Sequence, residues 1–160
     1  MRLRNVKNKE EIMNNSSYLI RDYNGLKGNW KSLFKNDNPI YIEIGMGKGK
    51  FIIDNAKMYP NINFIGIEKF DSVIVKALQK IPEGLDNLIM LRADALGIDE
   101  IFDHEIDRIY LNFSDPWPKN RHHLRRLSSR VFLEKYENIF KDNKVIHVRT
   151  DNRDLYTYSL

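Results

Sequence analysis

The sequence predicts an open α/β fold: a mostly parallel sheet with helices on both faces. Three observations lead there. From Pro39 onward, short apolar and β-branched segments recur at Ile40–Ile44, Asn63–Ile67, Asn87–Leu91, Arg108–Asn112 and Lys144–Val148. Helix-like stretches alternate with them at Lys50–Met58, Asp71–Ile81, Gly97–Phe102 and Ser128–Phe140. The strand segments are apolar at successive positions, as strands buried on both faces require. Strands and helices in alternation build a parallel sheet, and such sheets bind ligands at the carboxyl ends of their strands.

The 160 residues suit a single domain with its own core. Residues 1–38 are polar and Asn-rich, with turn signals at Asn24-Gly25 and Asn36-Asp37-Asn38-Pro39. They are expected to form a basic arm, irregular or short-helical, ahead of a domain over 39–160. The absence of cysteine excludes disulfides and thiolate metal sites. The opening MRLRNVKNKEE lacks the apolar stretch of a signal peptide, and no later run approaches a membrane span, so a cytoplasmic protein with no membrane partner is expected. Cations cluster at Arg2, Arg4, Lys7 and Lys9, and again at Lys119, Arg121, Arg125, Arg126 and Arg130. Two such clusters fit a polyanion, nucleic acid before membrane; solvated faces would give the same pattern.

The first strand runs into Glu43-Ile44-Gly45-Met46-Gly47-Lys48-Gly49-Lys50. Glycines at alternate positions permit a tight turn and close approach of backbone to a ligand. The stretch is not a P-loop, which ends in Gly-Lys-Ser/Thr, nor the dinucleotide GxGxxG, since the third glycine comes one position early. Glu43 just before the turn suits a cationic group such as an ammonium and would repel a pyrophosphate. The second strand ends in Gly66-Ile67-Glu68, where an acid can chelate both hydroxyls of a ribose or simply precede a helix. The third ends in Leu91-Arg92-Ala93-Asp94-Ala95; Asp94 can accept from an adenine amino group or cap the next turn. Acids after three successive strands fit S-adenosylmethionine, whose ammonium, ribose and adenine each need an acceptor.

The fourth strand delivers NFSDPWPKNRHHLRR, residues 112–126. Prolines beside a lone Asp115 imply a rigid, exposed turn. Trp117 either stacks on a base or packs the loop. The adjacent His122 and His123 do not suit one metal ion and have no cysteine to join them.

With these residues in place the chain resembles bacterial tRNA (guanine-N7)-methyltransferases, S-adenosylmethionine-dependent enzymes of the Rossmann-like class I fold. The segments that carry the resemblance are IEIGMGKGKF, NFIGIEKFDSVIVKALQKI, LRADAL, IYLNFSDPWPKNRHHLRRL and HVRTDNRDLYTYSL. It implies Glu43, Gly45, Glu68, Asp94 and Asp115 at S-adenosylmethionine, Asp115 also being catalytic. It implies Lys119 and Asp151 at the substrate, a guanine of the tRNA variable loop. Arg121, Arg125 and Arg126 are expected on the tRNA backbone, in a monomeric or homodimeric enzyme. Two positions depart from the family pattern: Leu124 stands where a cation is usual, and Arg149 where a lysine is common. The resemblance further implies a C-terminal strand hairpin and a Thr-x-Tyr-Glu motif, neither of which occurs before Leu160. A C-terminally incomplete domain, with Lys144–Val148 as an exposed edge, is therefore expected.

The nearest alternatives are an amino-group nucleic-acid methyltransferase, which places Asp/Asn-Pro-Pro-aromatic at this strand end, and a non-catalytic RNA-binding module of the same fold.

Overall fold

A computed structural model describes residues 8–160. The chain runs α1 (Lys9–Asn15), β1 (Leu19–Ile20), α2 (Lys31–Phe34), β2 (Ile40–Ile44), α3 (Lys50–Met58), β3 (Asn63–Glu68), α4 (Asp71–Leu78) and β4 (Leu88–Arg92). It continues with α5 (Ile98–Ile101), β5 (Arg108–Asn112), α6 (Arg130–Glu137), β6 (Ile146–Arg149) and α7 (Arg153–Ser159). The strands form one six-stranded sheet in the order β1-β4-β3-β2-β5-β6. Every pairing is parallel.

Each sheet face is covered by its own apolar cluster. Ile40, Ile42 and Ile44 of β2 point to one face, packing with Trp30, Phe34, Phe102, Phe132 and Tyr136. The opposite face collects Met13, Ile52, Ile53, Ile74, Ala77 and Met90 from α1, α3, α4 and β4. All six residues of β3 are buried, as its near-continuous apolar sequence demands. β6 is the edge of the sheet among the described residues, with alternating half-buried and exposed positions.

Two expectations needed correction. Residues 19–34 are not an arm outside the core: β1 pairs with β4 through Leu19↔Met90 and Ile20↔Leu91, and Trp30 is 0% exposed. Trp30 Nε1 donates to Ile101 O at 2.8 Å. A two-residue strand has no periodicity to read, which is why the sequence left it unmarked. The third connection does hold the expected helix, shortened to a single-turn α5 and preceded by a 3-10 turn at Ala95–Gly97. The fifth expected strand begins later, at Ile146, because Lys144 is exposed and pairs with Glu137 instead of joining the sheet. Arg2, Arg4 and Lys7 lie outside the described residues. No helix among the described residues is long and apolar enough to cross a membrane.

Candidate active site

The sheet order reverses between β2 and β5, since the chain leaves β2 toward β3 and β4 and returns on its other side. In a parallel sheet this reversal opens a crevice at the carboxyl ends of the two strands. Residues named from the sequence at four strand ends emerge along this edge.

Glu43 in β2 is 3% exposed. Burial is the main reason its carboxyl rises from 4.5 to about 8; the hydrogen bond from Asn112 opposes the rise and the nearby Glu68 adds to it. Asn112 Nδ2 donates to Glu43 Oε2 at 2.9 Å, while Glu43 Oε1 is buried with no partner. An orphaned buried carboxyl oxygen is costly unless a donor reaches it, and a cation would satisfy it.

The glycine turn that follows is held to β3. Gly45, at φ 75°, and Met46 both donate their N–H groups to Ile67 O, at 2.8 and 3.0 Å. Glu68 at the end of β3 accepts from Gly47 N at 3.2 Å and from Phe70 N at 3.0 Å, so its carboxylate braces the same turn. Asp94 is exposed and accepts from Leu96 N at 2.9 Å, capping its own 3-10 turn. The geometry thus gives Asp94 the capping part foreseen as one of its two readings.

Asp115 lies exposed on an irregular turn after β5. The turn begins at Phe113, φ 53°, whose N–H donates to Arg149 O at 2.7 Å. It passes through Trp117 at φ 43°, a left-handed conformation unusual for a bulky residue. The Trp117 indole packs within the loop: the Arg125 guanidinium covers its face at 5.1 Å and His122 meets it edge-on at 5.6 Å. Lys119, Arg121 and Arg125 are exposed on this segment, and Asp151 is exposed just before α7. Asn152 caps that helix, its Oδ1 accepting from Leu155 N at 2.8 Å.

Arg126 is a correction. Expected on the tRNA backbone, it is 0% exposed, so its guanidinium cannot reach an external phosphate. Its Nε donates to Pro116 O at 2.7 Å, and its Nη2 pairs with Asp154 of α7.

Comparison with known proteins then settles the family. A family profile described as "Putative methyltransferase" matches residues 37–160. Over 162 residues the chain is 51% identical to a tRNA (guanine-N(7)-)-methyltransferase of Lachnoclostridium phytofermentans, covering 100% of this chain and 76% of that protein. A tRNA (guanine-N(7)-)-methyltransferase of Oceanobacillus iheyensis is 53% identical over 153 residues, covering 94% of this chain and 72% of that protein. The chain belongs to the tRNA (guanine-N(7)-)-methyltransferase family.

Two solved structures add the fold at a greater distance. An antibiotic-related methyltransferase superposes with a TM-score of 0.62 at 18% identity, covering 74% of this chain and 61% of that one. The aminoglycoside resistance methyltransferase NpmB1 superposes with a TM-score of 0.60 at 21% identity, covering 79% and 64%. The doubly covered parallel sheet is therefore that of the class I methyltransferases.

One residue of this methyltransferase's candidate site, Asn112, escaped the sequence reading, and a second, Arg126, was expected in the wrong surroundings. Asn112 ends a strand that reads as buried, with nothing local to say that it faces Glu43. The register does say so: Glu43 pairs with Tyr110, which puts Asn112 two residues beyond, on the same face of the neighbouring strand. Arg126 was hidden by its surroundings, as one arginine among several exposed cations.

Proposed function

We infer that the chain transfers a methyl group from S-adenosylmethionine to N7 of a guanine in the tRNA variable loop. The observation that carries this reading is the Asn112–Glu43 hydrogen bond, which joins the root of the Asp115 turn to a buried carboxyl lacking a cation. Relatives named tRNA (guanine-N(7)-)-methyltransferase at 51% and 53% identity support the substrate.

The residues present fit the donor. Glu43 would take its ammonium group, with the glycine turn at Gly45 beside it. Glu68 would take the ribose hydroxyls, and Asp94 the adenine amino group. When bound, S-adenosylmethionine supplies an electrophilic methyl on a sulfonium.

Guanine N7 has an in-plane lone pair and no proton. The N7–C bond forms as the S–C bond breaks, positive charge passes to the guanine, and no residue need remove a proton. Catalysis rests on positioning and on electrostatic stabilisation of that charge. The Asp115 carboxylate accepts from the N1–H and amino edge of guanine and stabilises the cationic base. Pro116 and Pro118 restrict the turn that presents it. Lys119 serves guanine O6 or a nearby phosphate, Asp151 contacts the target base, and Arg121 and Arg125 hold tRNA phosphates.

The test is methyl transfer to tRNA with a labelled donor, followed by mass analysis of the nucleosides. The full chain should yield N7-methylguanosine, and Asp115→Ala should lose about 100-fold or more in turnover. Wild-type turnover in the variant would remove Asp115 from its role. A methyl group found on an exocyclic amine would overturn the N7 assignment.

A further inference from the structure

We propose that Arg126 is a positioning residue: it holds the Asp115 turn in shape from beneath and fastens that turn to the segment bearing Asp151. The proposal rests on the functional reading above and adds to it a residue that touches neither tRNA nor methyl donor.

The turn has an unusual need. Pro116 and Pro118 carry no amide hydrogen, so the peptide groups entering them offer no N–H to close the turn internally. Trp117 between them has φ 43°, which a bulky L-residue adopts only when its surroundings impose it. Donors from elsewhere must hold the carbonyls. Arg126 supplies them: Nε donates to Pro116 O at 2.7 Å, and Nη2 lies 3.4 Å from Trp117 O. Those two carbonyls belong to the peptide planes on either side of the Trp117 Cα. Fixing both planes fixes the backbone that leads back to Asp115.

The same guanidinium reaches the next element. Nη2 pairs with Asp154 Oδ2 in the first turn of α7, and the guanidinium lies over the Tyr158 ring at 4.6 Å. One rigid, planar, permanently charged group thereby joins the turn at 115–118 to the helix that follows Asp151. A lysine cannot reproduce this, since its ammonium is a single point on a flexible stem. The neighbouring arginine behaves differently. Arg125 is exposed and covers the outer face of the Trp117 indole at 5.1 Å. Of the tandem pair, then, one arginine faces solvent and the other supports the turn: Arg125 ends a 3-10 turn over Asn120–Arg125, and the backbone becomes extended at Arg126, with φ −63° and ψ 135°.

The experiment compares the full chain with Arg126→Lys and Asp154→Asn. Four quantities are read: kcat and KM for tRNA, S-adenosylmethionine affinity by calorimetry, and the dependence of tRNA affinity on salt. Arg126→Lys is expected to lower kcat at least about 30-fold, leaving donor affinity and the salt slope unchanged. Asp154→Asn should lower kcat by about five-fold in the same pattern. A flattened salt slope with kcat preserved would make Arg126 a phosphate contact and overturn the proposal. If Arg126→Lys fails to fold, Asp154→Asn decides, and wild-type kcat there overturns it.

A second readout needs no activity. The chain has two tryptophans, Trp117 and the buried Trp30, so fluorotryptophan labelling gives one resonance at the turn and one in the core. Arg126→Lys should broaden or split the Trp117 line and leave the Trp30 line sharp. An unchanged Trp117 line overturns the proposal. Absence of methyl transfer by the wild-type chain would instead count against the function inferred above.

Discussion

Glu43 sets the behaviour of the site at the scale of single residues, through its proton. Held near 8 chiefly by burial, its carboxyl is largely protonated at pH 7 in the free chain. A cationic group placed beside it favours the ionised form, so uptake of S-adenosylmethionine at pH 7 should release a proton. Calorimetry in two buffers of different ionisation enthalpy reads this directly: the apparent binding enthalpies should differ, and the difference should vanish in Glu43→Gln. The same shift governs stability. The folded value lies above the unfolded one, so the contribution of Glu43 is fully present below pH 4.5 and declines as pH rises toward about 8. Urea midpoints at pH 5 and pH 8 should therefore differ more in the wild type than in Glu43→Gln. Sequence alone placed Glu43, Glu68 and Asp94 at or just beyond the ends of three strands, because the apolar segments before them mark where each strand stops. It could not locate Asn112 or the inward turn of Arg126. Those depend on which strand lies beside which, and on where the 3-10 turn ending at Arg125 gives way to extended backbone.

Among the elements, the link from β2 to α3 is the most constrained. Gly49 opens α3 at φ 81°, and a Cβ there would meet Ala77 Cβ at 3.0 Å and Ile53 Cδ1 at 3.2 Å. Ala77 is 0% exposed and has no flexible end to move aside. Gly49→Ala should therefore cost about 2–3 kcal/mol in urea unfolding, through combined backbone strain and overpacking. The glycine spacing was legible in the sequence as a tight turn; what the glycine avoids on α4 was not. A second junction is made by Glu105, whose carboxylate accepts from Gly28 N at 2.6 Å, Trp30 N at 3.0 Å and Asp103 N at 2.9 Å. Glu105→Ala should destabilise the chain by about 3 kcal/mol, since buried backbone donors lose a charged acceptor. A wild-type midpoint in that variant would show the segment around Trp30 to be held by apolar packing alone. Nothing in the sequence marks Glu105 as different from other loop acids, because two of its three partners, Gly28 and Trp30, are more than 70 residues away.

Viewed whole, the molecule is a sheet whose stability grades from centre to edge. β3 is buried along its full length and β6 at none of its positions. Native-state hydrogen exchange should accordingly be slowest in Phe64–Ile67 and fastest, among strand amides, in Ile146–Arg149. Comparable protection in both would mean that the sheet opens only as a unit. The fold class was legible in the sequence because five short apolar and β-branched segments alternate with helix-like stretches; the lateral order was not, since each strand could neighbour several others. That order also has a consequence in time. Ile40 pairs with Asn63 across a single helical crossover, whereas Tyr41 must wait for Arg108. Closing the longer loop costs more entropy and comes later. As the chain is synthesised, Glu43, Glu68 and Asp94 are in place before the Asp115 turn exists. On the proposed assignment, the half that would receive the donor is thus made first, and the docking of β5 against β2 brings the half that would face the target alongside it.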